Sequence, residues 1–287
     1  WMFDTFEKVY VSFSGGKDST VMLHMVMDEA IKRDRTVGIL FIDLEGQYKL
    51  TIEHTKKCFE MYKDHSEPFW VCLPLHLRNA VSVYEPHWLC WDDEVKEAWI
   101  REAPEGAITD PEFFPFFAKG MEFEEFVPEF GEWYAQGKST ACCVGIRSDE
   151  SLNRYRTIAS RSKTRYEGRG YTSLITPSVY NMYPIYDWRT PDVWIYQGKN
   201  KARVVARVNG ANGGALYVQE WGNINGYRKI TKPDGHTWES FAKLLVRSMP
   251  PKTQEHFENK IFRFIEWWKK KGYPDGLPDT VDYALEA

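Results

Sequence analysis

The residues best equipped for chemistry sit together near the start of the chain, in Ser14-Gly15-Gly16-Lys17-Asp18-Ser19-Thr20. Paired glycines let a backbone take positive φ and come close to an anion. Lys17 adds a full positive charge, and Ser14, Ser19 and Thr20 add hydroxyl donors suited to phosphate oxygens. A helix starting here would aim its free N–H groups and the positive end of its dipole at the same anion. The stretch reads as a cradle for nucleotide phosphates, although the G-x-x-x-x-G-K-[ST] spacing of a Walker A loop is missing. The alternative is a glycine-rich turn that only joins two elements.

The elements needed to position such a loop surround it. Val9 to Phe13 is β-branched and aromatic, which predicts a buried strand, and Val21 to Ala30 has helical periodicity. Val37 to Ile42 is a second continuous apolar run, as a parallel sheet covered on both faces requires, and it ends at Asp43. In such sheets ligands sit beyond the carboxyl ends of the strands, where both the loop and Asp43 fall. Leu50 to His65 predicts an amphipathic helix, Phe69 to Leu73 a third strand, and Lys138 to Arg147 a strand followed by a loop carrying arginine. The next helix is expected to be capped by Ser148 or Asp149, with Leu152, Tyr155 and Ile158 facing inward. Strand residues then lead from Asn181 to Asp187-Trp188, and Thr190-Pro191-Asp192 predicts an N-cap with proline at the first helical position.

Ser12 to Ser19, S-F-S-G-G-K-D-S, resembles the PP-loop of N-type ATP pyrophosphatases and phosphoadenosine phosphosulfate (PAPS) reductases. Gly145-Ile146-Arg147-Ser148-Asp149-Glu150-Ser151 resembles the G-x-R-x-x-E-S motif of the same family, and Pro184, Ile185, Asp187, Trp188, Asp192, Val193 and Trp194 match its P-[IL]-x-D-W-x-x-x-D-V-W signature. Asp43-Leu44-Glu45-Gly46-Gln47-Tyr48 looks like the D-T-G-x-x-F segment, with Leu44 and Glu45 as departures. The resemblance implies an α/β fold with a doubly wound, mostly parallel sheet of the adenine nucleotide alpha hydrolase type. It implies an ATP or PAPS-like adenine nucleotide as ligand, Mg²⁺ to offset phosphate charge, and Lys17 and Arg147 as catalytic residues. Ser12, Ser14, Gly15, Gly16, Lys17, Asp18, Ser19, Thr20, Asp43, Gly145, Arg147, Glu150 and Asp187 would hold the nucleotide. Arg147 would grip a phosphate or sulfate with two prongs, as lysine cannot; its alternative is a pair with Glu150. Asp43 belongs to the nucleoside pocket on this resemblance, and its alternative is a turn cap. Trp188 and Trp194 are expected as core anchors.

Composition narrows the setting. At 287 residues the chain can form one large α/β domain with an appendage, and no 18-residue apolar run predicts a membrane-spanning helix. The first residues lack the layout of a signal peptide, and five scattered cysteines fit a reduced, cytoplasmic protein. From Glu85 to Glu132 there are fourteen Asp/Glu against three Lys/Arg, whereas from Arg147 to Arg169 there are seven Lys/Arg against three Asp/Glu. The basic stretch could serve a nucleotide's phosphates, a nucleic acid, or solubility alone. The acidic stretch carries many tryptophans and phenylalanines, is expected to be an insertion over about 84–135, and could be a docking surface. His87 and Cys90 have ligand spacing without a second ligand pair nearby, so no metal site is expected.

The nucleotide-binding domain is placed at 1–197 and a mainly helical extension at 198–287, with helices over 237–249 and 253–271. An abrupt basic, Gly/Asn-rich stretch suggests a deletion or gap near Asn200. A branch of the family with such an insertion and extension is often paired with a ParB-like protein, which is the partner this resemblance implies. A PAPS reductase needs a cysteine on a C-terminal E-C-G-x-H tail, and no cysteine follows Cys143. Adjacent Cys142 and Cys143 in a strand point to opposite faces; packing, a redox role, or half of a cluster site are the readings, and the C-x-x-C such a cluster needs is missing. What remains is adenylylation: ATP cleaved between the α- and β-phosphates. The alternatives are a thiol-dependent reductase and a non-catalytic nucleotide sensor or nucleic-acid-associated subunit.

Overall fold

The computed structural model describes residues 1–47, 49–78, 87–160, 162–199, 229–231 and 280–282. These residues form two compact units. The first holds Trp1–Ile42, Glu53–Val71 and the described residues from Glu124 to Lys199; the second holds Asp43–Ile52, Cys72–Phe123 and the two short segments near the end. The helices expected over 237–249 and 253–271 and the gap expected near Asn200 lie outside the described residues.

In chain order the elements are α1 (Met2–Thr5), β1 (Lys8–Ser12), α2 (Lys17–Lys32), β2 (Val37–Ile42), α3 (Lys49–Tyr62), β3 (Ser66–Val71), β4 (His76–Arg78), β5 (His87–Leu89), α4 (Phe123–Ala135), β6 (Thr140–Val144), α5 (Leu152–Ala159), β7 (Thr172–Thr176), β8 (Val179–Met182), α6 (Thr190–Lys199), β9 (Lys229–Thr231) and β10 (Thr280–Asp282). The first unit is built on a six-stranded sheet in the order β3-β2-β1-β6-β8-β7. Every neighbouring pair is parallel except β7 with β8. This is the α/β, mostly parallel, doubly wound arrangement expected.

The apolar runs explain it. All six residues of β2 are buried, as are Val9, Tyr10 and Val11 of β1 and Ala141, Cys142 and Cys143 of β6. Strands covered on both faces have no polar side, so they take the sheet's interior positions. The inward stripe of α2, Val21, Met22, Leu23, Val26, Met27 and Ala30, is buried too. Strand order turns back between β1 and β6, and at that switch point the loops leaving the two carboxyl ends open a crevice. The phosphate-cradle stretch leaves β1, and Gly145-Ile146-Arg147 leaves β6.

Helix α2 begins at Lys17 rather than at Val21, so Asp18, Ser19 and Thr20 belong to its first turn. Helix α5 is capped by Ser151, whose side chain accepts from the Arg154 N–H, not by Ser148 or Asp149. Of its three residues expected inside, only Ile158 is buried; Leu152 and Tyr155 are 61% and 52% exposed. A helix this short presents a single buried position here, and the rest of its stripe runs off the packed surface. Trp188 and Trp194 are half-buried rather than core anchors.

The second unit, taken by itself, carries the antiparallel hairpin β4–β5 and short 3-10 turns over Asp93–Ala98 and Pro111–Phe113, around buried Trp88, Trp91 and Phe114. β9 and β10 pair antiparallel in it. No helix among the described residues is long and apolar enough to cross a membrane.

Candidate functional site

In the first unit the loop after β1 is shaped by its own hydroxyls. Gly15 takes φ 75°, a conformation glycine adopts without strain. The Ser19 hydroxyl donates to the Gly16 carbonyl (3.1 Å), the Ser14 N–H donates to Ser19 Oγ (3.3 Å), and the two seryl oxygens lie 2.9 Å apart. Both hydroxyls therefore hold the loop in shape. The open donors of the cradle are the first N–H groups of α2, which have no intrahelical carbonyl. Thr20 is turned elsewhere: its buried hydroxyl meets His54 Nε2 at 2.9 Å, on α3.

Two cations converge at the start of α2. Arg147 Nε donates to Asp18 Oδ1 at 2.8 Å, and Lys17 Nζ meets Asp18 Oδ2 at 2.8 Å. Arg147 is 2% exposed and its Nη1 also reaches the Trp188 carbonyl at 3.4 Å. Asp149 lies 3.8 Å from the guanidinium, while the exposed Glu150 pairs with Arg154 instead. The pairing of Arg147 with Glu150 held open from the sequence is thus replaced by one with Asp18. Sequence reasoning could not choose, because Asp18 is distant in the chain and Glu150 is close.

Gly145 makes the convergence possible. A Cβ there would stand 2.9 Å from Ser19 Cα and 3.0 Å from its nitrogen, so only glycine lets the β6 loop lie against the first turn of α2. Ser12 ends β1, half-buried, and Asp187 is exposed. The Asp18 carboxylate bridges the two cations, and the exposed Asp149, 3.8 Å from the guanidinium, brings the formal charge of the cluster to zero. Anion capture here would therefore fall mainly to the open N–H groups of α2 and to Lys17, the more exposed of the two cations.

In the second unit Asp43 is wholly buried and its Oδ1 accepts from the Glu45 N–H (3.0 Å) and from Arg101. The Trp91 indole N–H donates to the Asp43 carbonyl at 2.6 Å, and the Arg101 guanidinium lies over the Trp91 ring. Glu45, at φ 63°, accepts from the N–H groups of Trp91 (2.7 Å) and Ile100 (3.1 Å). Asp43 therefore does act as a turn cap, and its carboxylate is committed. The departure of Glu45 from the glycine of D-T-G was the sequence signal for this clamp; nothing in the sequence pointed to Arg101.

The buried thiols are held protonated. Burial pushes Cys142 up to about 12 and Cys143 well above the ordinary thiol value. Cys143 donates to the Met2 sulfur at 3.4 Å. Three of the seven cations of the basic stretch are engaged within the fold: Arg147 is tied to Asp18, Arg165 donates to the carbonyls of Ile158, Ser160 and Thr172, and Arg169 lies over Trp1. Among the described residues no group of three or more His, Cys, Asp or Glu is placed to hold a metal ion.

Residues 8–68 match the phosphoadenosine phosphosulfate reductase domain, and residues 180–283 match a domain of unknown function, DUF3440. The chain is 37% identical over 320 residues to the Escherichia coli (strain K12) protein YbdN, described as uncharacterized, covering 95% of this chain and 78% of that one. Among solved structures it is similar to a PAPS reductase from Candida auris in a phosphate complex, at 16% identity and TM-score 0.36 over 70% of this chain and 76% of that one. It is also similar to the U34-tRNA thiolase NcsA from Methanococcus maripaludis, at 12% identity and TM-score 0.35 over 90% of this chain and 72% of that one.

Proposed function

The chain belongs to one family with YbdN and carries a match to the PAPS reductase domain over residues 8–68, and from that premise we propose that it binds ATP and cleaves it between the α- and β-phosphates, transferring the adenylyl group to an acceptor. The observation that carries this reading is the convergence of Lys17 and Arg147 on one carboxylate at the N-terminus of α2. Lys17 and the N–H groups of the α2 terminus hold the β- and γ-phosphates. Arg147, fixed through its Nε by Asp18 and through its Nη1 by the Trp188 carbonyl, contributes a positioned positive charge beside the transferred group. In phosphoryl and nucleotidyl transfer the protein contributes mainly position and electrostatics, so no dedicated base is required of these residues.

Mg²⁺ would enter such a site on the phosphates themselves, because both oxygens of Asp18, the carboxylate of this loop, are taken by Lys17 and Arg147. When bound, the ion offsets phosphate charge. The thiol-dependent reductase reading requires a thiolate, and Cys142 and Cys143 are buried thiols held protonated at neutral pH.

The test is pyrophosphate release from Mg·ATP by the purified protein, with candidate acceptors, beside a Lys17→Ala variant. Loss of release by about a hundredfold or more in that variant is expected. Undiminished release would sink the assignment, as would Cys142- and Cys143-dependent sulfite release from PAPS.

A further inference from the structure

In the first unit α2 and α3 meet along a seam of buried polar side chains. Thr20 and His24 stand one turn apart on α2, and His54, Cys58 and Tyr62 follow one another at the same spacing on α3. The Thr20 hydroxyl lies 2.9 Å from His54 Nε2, Cys58 Sγ lies 3.6 Å from the same nitrogen, and His24 Nδ1 bonds the Tyr62 hydroxyl. Thr20 and His54 are both buried, so neither side chain is left to bulk water.

The hydrogen bonds around the loop decide which way the Thr20 proton points. A helical threonine can turn its hydroxyl back onto the carbonyl four residues earlier, which for Thr20 is that of Gly16, the residue before α2. That carbonyl has two lone pairs, and both are used: the Thr20 N–H donates to it at 2.9 Å and the Ser19 hydroxyl at 3.1 Å. The Thr20 proton therefore goes to His54 Nε2, which places the ring proton of a neutral His54 on Nδ1. The Cys58 thiol, a weaker donor at longer range, competes poorly for that lone pair. Ser19 in turn holds Ser14, so its bond to Gly16 is part of what shapes the loop.

We propose that His54 is a positioning residue for the phosphate loop: by accepting the Thr20 proton it keeps that hydroxyl off the Gly16 carbonyl, leaving the carbonyl to Ser19 and the loop in the shape that presents the α2 N–H groups to an anion. Without the acceptor, a buried hydroxyl has to find another partner, and Gly16 is within its reach at the expense of Ser19. His54 acts entirely through Thr20. The inference rests on the reading that this loop takes the phosphates of a nucleotide.

Isothermal titration with inorganic pyrophosphate, a probe without base or sugar, tests it. His54→Leu is expected to bind pyrophosphate about tenfold more weakly than the wild type. His54→Gln, whose amide reaches about as far as Nε2 and can accept the same proton, is expected to stay within about twofold. The deciding variant joins Thr20→Val to His54→Leu. With the competing hydroxyl gone the Gly16 carbonyl stays with Ser19, and most of the lost affinity is expected to return. A His54 that only packed would leave the double variant at least as weak as His54→Leu. Tyr62→Phe breaks the other pair on the same two helices, farther from the loop, and is expected to bind within about twofold of the wild type. His54→Asn, whose polar atoms stop short of the Nε2 position, repeats the comparison if His54→Leu shows no cooperative melting. Undiminished affinity in His54→Leu and His54→Asn, no recovery on adding Thr20→Val, or an equal loss in Tyr62→Phe would overturn the inference. If the wild type binds no pyrophosphate, or Lys17→Ala binds it equally well, the phosphate reading and the inference fall together. An affinity that depends on Lys17 and ignores His54 would leave the phosphate reading standing alone.

Discussion

Each unit contains a buried aspartate paired with an arginine, and the two pairs are balanced in opposite ways. Asp18 is shared by Arg147 and Lys17, so one carboxylate meets two cations beside a helix N-terminus. Arg101 stands against two carboxylates, Asp43 directly and Glu45 close along the chain, with the hydrogen-bonding capacity of Glu45 taken up by backbone N–H groups. The same residue pair therefore stands beside a second cation and a helix N-terminus in one setting and close along the chain to a second carboxylate in the other. An Asp–Arg pair does not declare a function; the third charge and the nearby N–H groups do.

Removing each aspartate's charge breaks the comparison most directly. Asp18→Asn leaves Arg147, 2% exposed, without its counter-charge, and a buried pair broken from one side costs about 3 kcal/mol or more. Asp43→Asn leaves Arg101, 19% exposed, where solvent screens the loss, and about 1 kcal/mol is expected. Urea unfolding measures both. Inorganic pyrophosphate should stabilise Asp18→Asn more than the wild type, since two cations are released for it, and should stabilise Asp43→Asn no more than the wild type. Equal rescue of both variants would erase the distinction between the nodes.

Gly145→Ala sharpens the first node alone. The new Cβ would meet backbone atoms of Ser19 rather than a flexible side-chain end, so the β6 loop must move away from α2. A cost of about 1–3 kcal/mol is expected, and pyrophosphate affinity should fall at least tenfold because Arg147 follows the loop. A variant with normal pyrophosphate affinity would show that the close approach is packing without consequence for the site.

Much of the sheet was legible because buried parallel strands are written as unbroken apolar runs, and β2 was found at its true ends, Val37 and Ile42. The glycine-rich turn between β1 and α2 was equally visible, since such a turn depends on backbone and local residue type. What escaped was long-range. The antiparallel strand β7, Thr172–Thr176, is half exposed and carries no apolar run, so nothing in its pattern announced it. Arg147 was recognised, but its partner lies on another element and Glu150 satisfied local reasoning equally well. The Glu45 clamp depends on Trp91 and Ile100, far along the chain, and registers in sequence only as a residue out of place. Helix α5 was misread because its period was real while the surface it was expected to cover was not there.

The smallest expected effect concerns the thiols, which the units share. Burial raises Cys142 and Cys143 in the first unit and, with Asp43 beside it, Cys72 in the second. A folded-state value above the unfolded one means that stability is fully present below about 9 and is lost as the pH climbs towards the folded value, about 12 for Cys142. Cys142 should then cost about 1 kcal/mol by about pH 10, and Cys143 and Cys72 should act in the same direction, read as a falling urea midpoint between neutral and alkaline solution. Cys142→Ala should flatten that fall at the expense of a small cavity, and Cys72→Ala should flatten it by a similar amount, because both thiols are protonated for the same reason, burial. A slope that responds to Cys142 and not to Cys72 would mean that Arg101, which lowers Cys72, outweighs both the burial and the Asp43 charge that raise it. The second node would then be less negative than its pairings imply.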